Sequence, residues 1–455
     1  MTKDLTNGGV TSSMLLFAGP MIAGNLLQQF YNIADTLIVG RVIGSDALAA
    51  TGASYALMIF LTSILLGLSM GSGTLFSMLH GAGKPQELRQ SVFLSFTMIG
   101  GLSLLLEAAV LLCTDPVLWM MQIPQDIYSM TREYLQIIFL GILFTFLYNY
   151  FASLLRALGN STVPLLFLGI SAVMNVVLDL LLVMVIPLGV AGAAWATIIA
   201  QAFSGIGIGI YTWRNFPYLR PVAAMKKWDR AMASLIAKYS FLTCVQQSVM
   251  NFGILLVQGL VNSFGVEVMA AFSAAVKIDS FAYMPVQDFG NAFSTFIAQN
   301  FGAGKRERIR RGIRSAMITA IVFSLVVSAL VCLLAPFLMQ IFVSADEVEV
   351  IRIGVEYLRI EGACYCGIGC LFLLYGLYRA LGRPGISVVL TVISLGTRVL
   401  LAYTLSAVPF IGLVGIWWSV PIGWVLADAV GLIYYFGFYR KKQGRINTAF
   451  SDECG

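Results

Sequence analysis

The chain has 455 residues, 59% of them hydrophobic and only 11% charged, with a formal net charge of +6. A soluble domain carries roughly 25% charged residues, so this composition excludes a water-soluble globular protein, and no polar stretch is long enough to form a nucleic-acid-binding domain. Apolar windows of about 20 residues, enough to cross a hydrocarbon core about 30 Å thick, recur along the whole length, and their lack of strict alternation excludes a transmembrane barrel.

Twelve windows are expected. The first, 14–40, follows a polar dozen without a signal-peptide pattern and reads as an uncleaved helix. It contains Pro20, a hinge candidate because proline removes one helix hydrogen bond. Asn25, Gln28, Gln29, Asn32 and Asp35 fall within an arc of about 120°, one polar stripe that should face protein or water. Windows 47–78, 88–112 and 130–155 follow; the first of these ends in Gly81-Ala82-Gly83-Lys84 and the last in Arg156-Ala157-Leu158-Gly159. Glu107, near the end of 88–112, reads as a snorkelling side chain.

In window 163–186, Ser171, Asn175 and Asp179 occupy an arc of about 80°, and in window 190–213 Thr197, Gln201 and Ser204 share a face. At about 1.5 Å per residue, Asp35 and Asp179 come out at similar depth in the membrane. Two such carboxylates can share a proton, or bind a small hard cation together with amide and hydroxyl oxygens. Charge placed inside a membrane is a functional hypothesis by default, since it costs at least about 2.5 kcal/mol on insertion scales.

Residues 214–231 mix Arg, Lys, Trp and Pro and read as an interfacial linker. Beyond it lie windows 232–262, 266–300, 312–337, 350–379, 385–408 and 412–439. Gln247, Asn251, Gln258 and Asn262 align within about 60°, and Lys277, Asp288, Asn291, Thr295 and Gln299 within about 80°, with Pro285 interrupting. Lys277 and Asp288 stand about 16 Å apart along the axis, too far for a direct ion pair in a straight helix. A charged central path and internal packing are both open for them. Arg398 is a counter-charge for Asp428, for Glu361 or for an acidic substrate group.

The second set of windows repeats the first. Gly302-Ala303-Gly304-Lys305, Arg379-Ala380-Leu381-Gly382 and Trp418 return at a nearly constant offset from Gly81, Arg156 and Trp195. The expected fold is an all-α polytopic membrane protein of 12 transmembrane helices in two pseudo-symmetric six-helix lobes: residues 1–213, a linker at 214–231, residues 232–439 and a tail at 440–455. Such duplication is a transporter signature. The acids break it, because Asp35 aligns near Gly253 and Asp179 opposite Ala402.

Basic residues gather in alternate breaks: Lys84 and Arg89, Arg156, Arg214 to Arg230, Lys305 to Arg314, Arg379 and Arg383, and the tail from Arg440. Asp115, Asp126, Glu267 and Asp346 to Glu349 lie in the others, so the positive-inside rule places both termini in the cytoplasm. Seven cysteines, most in apolar windows, imply no disulfide framework, and Cys364, Cys366 and Cys370 lack metal-ligand spacing. No nucleophile paired with a base, metal motif or nucleotide-binding loop marks an enzyme, so none is expected, nor a resident cofactor.

The repeated Gly-Ala-Gly-Lys and Arg-Ala-Leu-Gly segments, with Asp35 and Asp179, resemble the multidrug and toxic compound extrusion (MATE) family over essentially the whole chain. The resemblance implies an antiporter exporting cationic or amphipathic compounds in exchange for H+ or Na+, by rocking of two lobes, in a bacterial plasma membrane. Partners would be small molecules and the lipid bilayer, with the chain a monomer. In the DinF-like branch the ion site uses residues that match Asp35, Asn149, Asn175, Asp179 and Thr197 here, with Na+ placed at Asp35, Asn175, Asp179 and Thr197. Other branches place an acid in helix 7, where this chain has Gln246 and Gln247. Candidates for the substrate path are Gln28, Asn32, Gln247, Asn251, Lys277, Asp288, Asn291 and Arg398. The alternative is a flippase or exporter of a lipid-linked or other endogenous metabolite. A pyrophosphate would want a strongly basic cavity, and the clear buried bases are only Lys277 and Arg398.

Overall fold

A computed structural model describes residues 3–121, 123–220 and 228–439. The middle of the expected linker, including Lys226 and Lys227, lies outside the described residues, as does the tail at 440–455 with its basic residues and Cys454. With no water in a bilayer core, every backbone polar group must be paired within its own segment, which favours helices. Among the described residues there are fifteen α-helices and no strand: α1 (Val10–Ile38), α2 (Ser45–Gly81), α3 (Pro85–Leu112), α4 (Thr114–Met120), α5 (Gln125–Phe139), α6 (Ile142–Ala157), α7 (Thr162–Asp179), α8 (Gly189–Asn215), α9 (Arg230–Asn262), α10 (Val266–Gly302), α11 (Arg306–Gln340), α12 (Val348–Ala363), α13 (Tyr365–Ala380), α14 (Pro384–Ser406) and α15 (Gly412–Tyr434).

Nine of these are single helices long and apolar enough to cross a membrane, and two more crossings are the bent pairs α5/α6 and α12/α13. α10, 37 residues long, is long enough to cross but, carrying Lys277, Asp279 and Asp288, is too polar to be counted with these eleven. α1 runs through Pro20 as one helix.

The two bends, of 44° and 52°, divide windows that sequence reads as continuous. At the first, Gly141 has no side chain where a Cβ would lie 3.0 Å from both the Ile138 carbonyl and Gln201 Oε1. Glu107 is no free snorkelling acid: its Oε2 accepts the Leu143 amide at 3.1 Å, capping an N–H that the first turn of α6 leaves without a helical partner. α13 begins at Tyr365, the place in the second repeat that corresponds to Ile142 at the start of α6, so the bend belongs to the repeated design.

Glycines in the left-handed region show the same duplication. Gly44 and Gly265, Gly83 and Gly304, Gly159 and Gly382, and Gly189 and Gly412 form four pairs with φ between 52° and 119°. The members of each pair hold matching places in the two repeats, and glycine alone takes such angles without steric cost.

The chain forms two compact units. The first comprises Met1–Asn251, Asn291–Ala316 and Arg379–Leu381, so it takes in ends of α10, α11 and α13. Its core gathers Leu61, Leu65, Phe76, Phe139, Phe146 and Tyr150, and Tyr150 shares a 2.8 Å hydrogen bond with Ser95. Small residues let its backbones touch, as membrane helices require. A Cβ at Gly81 would strike the Gln299 carbonyl, and one at Gly302 the Met78 carbonyl. The second unit comprises Phe252–Gly290, Met317–Tyr378 and Gly382–Gly455. In its core Phe272 stacks on Trp417 at 5.5 Å with Tyr357 edge-on to both. Leu105 in one unit and Leu333 in the other are 69% and 78% exposed, as expected of side chains that face lipid.

Candidate functional site

In the first unit, α1, α7 and α8 bring polar side chains into one cluster. Asp179 closes α7 and is fully buried, and Asn175, one turn earlier, is 1% exposed. With its amide nitrogen toward the acid, Asn175 donates to Asp179 Oδ2 at 2.9 Å and accepts the Thr197 amide at 3.2 Å, so both ends are satisfied. Thr197 bonds back to the Ala193 carbonyl at 3.1 Å, and Ser171 Oγ ties α7 to the Ala200 carbonyl of α8 at 2.8 Å.

Asp35 arrives from α1 and lies beside Asp179. The Oδ1 atom of each acid is buried with no hydrogen-bond partner. Both acid-bearing helices pass into π-helical turns, Val39–Ile43 and Leu180–Val185, a feature that often marks functional positions.

Sequence reasoning missed two tyrosines here. Tyr31 lies beside the Thr197 side chain and both acids, and Tyr134 of α5 lies within electrostatic reach of the same acids. Tyr31 stands one turn before Asp35, a spacing that could have found it. Asn149 donates to Thr145 in its own helix at 2.9 Å, while the Thr145 hydroxyl donates to Gln201 at 3.0 Å. The fold therefore brings Asp35, Asn175, Asp179 and Thr197 together. Two partnerless carboxylate oxygens beside amide and hydroxyl oxygens suit a proton or a small hard cation.

Of the substrate-path candidates in this unit, Gln28 is exposed and Asn32, Gln247 and Asn251 are half-buried. Asn251 bonds back to the Gln247 carbonyl at 3.3 Å. Asn291 accepts from Arg379 at 3.1 Å, an arginine only 4% exposed.

In the second unit Lys277 is exposed and Asp288 only 3% exposed. Arg398 lies within electrostatic reach of Asp279 and Glu361, and Tyr365 donates to Asp279 at 2.6 Å. Asp428 stands elsewhere, with Oδ1 buried and unpartnered. Asp279 was not singled out from sequence, although an acid inside an apolar window is itself the signal.

A duplicated helical bundle with buried acids in both copies, and the Asp35–Asp179 pair in the first alone, defines the class: a polytopic membrane transporter. The MatE family profile matches the chain twice, at residues 20–181 and 243–404, so this chain belongs to that family. It is 30% identical to the Probable multidrug resistance protein YpnP of Bacillus subtilis, over 95% of this chain and 96% of the relative. It is 24% identical to the Probable multidrug resistance protein NorM of Thermotoga maritima, over 98% and 96%. Among solved structures, one described as "Crystal structure of MATE in the bent conformation" matches with a TM-score of 0.89 over the full length of both chains at 20% identity, a likeness of fold.

Proposed function

We propose that this chain is a secondary antiporter of a bacterial plasma membrane, exporting cationic or amphipathic organic compounds in exchange for H+ or Na+. The observation that carries the reading is the acid pair, whose two buried carboxylate oxygens have no partner and which a proton or small cation would complete. Relatives named as multidrug resistance proteins support the substrate class. The basic loops, and with them both termini, face the cytoplasm, and the chain acts as a monomer.

Coupling requires that ion and substrate favour different conformations, since a ligand with equal affinity for both states shifts neither. Loading of Asp35 and Asp179 by the ion favours the state that releases the compound outside. Asn175 holds Asp179 and accepts the Thr197 amide, and Tyr31 of α1 lies beside the same threonine, so a change at the acids reaches three helices. The test is uptake of a fluorescent cationic dye into inside-out vesicles, with proton and sodium gradients imposed separately. One gradient should drive uptake, and uptake indifferent to both would refute antiport.

A further inference from the structure

Residues Lys3 to Gly8, just before α1, form an ordered strap across elements from both repeats. The Lys3 amide donates to the Gly159 carbonyl at 3.0 Å, in the loop after α6. Gly159 has φ 85°, and a Cβ there would strike the Lys3 carbonyl, so the contact needs glycine. Leu5 is fully buried. Its carbonyl accepts from Asn300 Nδ2 at 3.1 Å and from Arg308 Nε and Nη2 at 3.2 and 3.1 Å.

Arg308 also donates to the Gly8 and Asn7 carbonyls at 2.6 and 2.7 Å, and lies over the Phe296 ring at 5.2 Å. Lys305 Nζ donates to the Thr6 carbonyl at 2.7 Å and to Asn7 Oδ1 at 3.0 Å. Asp4 closes the turn from within, accepting the Thr6 amide at 2.8 Å. Burial acts to raise its carboxyl, but hydrogen bonds from Thr6 and Asn7 and the charge of Lys305 outweigh that and hold it below the ordinary carboxylate range. Beyond the strap, the hydroxyls of Thr11 and Ser315 meet at 2.7 Å.

The repeat explains why the strap docks on one copy. In the first copy Lys84 pairs with Glu87 at 2.9 Å. At the equivalent places the second copy has Lys305 and Arg308. The charge reversal from Glu87 to Arg308 replaces a local ion pair with two cations whose donors point at the strap's carbonyls. Gly159 belongs to the first copy and Asn300, Lys305 and Arg308 to the second, so the strap spans both.

We propose that this strap is a latch: it ties the first-copy loop after α6 to the second-copy ends of α10 and α11, and must leave Lys305 and Arg308 before those ends can separate. The proposal rests on the alternating-access reading, which makes this the cytoplasmic gate, but its first test does not depend on transport or topology. Leu5→Cys, in a background with the native cysteines replaced, is labelled with a polar maleimide on purified protein in nanodiscs, where both faces are accessible. Labelling should be slow in that parent. Adding Arg308→Glu, which copies the tolerated Lys84–Glu87 arrangement, should speed it at least about tenfold. Arg311→Met, whose partner is the exposed Glu307, should not.

Should Leu5→Cys fail to insert, Thr6→Cys replaces it. Equal labelling rates with and without Arg308→Glu would overturn the latch. In a second arm, Thr11→Cys with Ser315→Cys is oxidised to a disulfide across neighbouring hydroxyl positions. Oxidation should cut dye transport at least about tenfold and reduction should restore it. Full-rate transport by fully crosslinked protein would also overturn the proposal. Absence of transport in the reduced form would count against the antiporter reading and leave the labelling result to decide the latch.

Discussion

Asn175 is the residue through which the acid pair is held, since its carboxamide spans from Asp179 Oδ2 to the Thr197 amide. Replacing it with alanine leaves a buried carboxylate oxygen short of a partner, at a cost of about 1–3 kcal/mol. Asn175→Ala should therefore lower the thermal midpoint in detergent and weaken coupling-ion affinity roughly tenfold, while leaving dye affinity close to wild type. Equal losses for ion and dye would mean that Asn175 serves packing alone. Asp35, Asn175, Asp179 and Thr197 were legible beforehand because polar residues spaced by about one turn stand out on an apolar helix. Asp279 was not, since it lies about 160° around α10 from Lys277 and so off the stripe that drew attention. Its partners, Tyr365 and Glu361, come from a distant stretch of sequence.

At the scale of elements, the repeated glycines act where helices cross. Gly81 leaves room for the Gln299 carbonyl and Gly302 for that of Met78, both backbone atoms that cannot swing aside. Gly81→Ala or Gly302→Ala should destabilise the fold by about 1–3 kcal/mol or more. Gly101→Ala in α3, where a Cβ meets nothing within 4 Å, should stay within about 1 kcal/mol of wild type or gain stability. Thermal unfolding in detergent checks this, and equal midpoints for the three variants would contradict the close-packing account. The tetrapeptide repeats mark these positions as duplicated, but the crossings there, like the bends at Gly141 and Cys364, were not legible. Apolarity runs on through both bends, and the Glu107 cap on Leu143 joins residues 36 apart.

For the whole molecule, duplication supplies two copies of one helical design, and departures from symmetry supply function. Two such departures stand out: Asp35 and Asp179, which have no acid at their aligned places in the second copy, and the exchange of Glu87 for Arg308 that creates a docking place for the strap. The first concerns energy coupling and is the central claim. It is tested most directly by counterflow in proteoliposomes, where an imposed dye gradient drives the coupling ion the opposite way. Proton and sodium movement are followed together with dye-for-dye exchange. Wild-type protein should move one of the two ions against the dye flux, whereas Asp35→Asn and Asp179→Asn should keep dye exchange and lose ion movement by at least about tenfold. Ion movement at the wild-type rate in both variants would contradict the assignment of coupling to the acid pair.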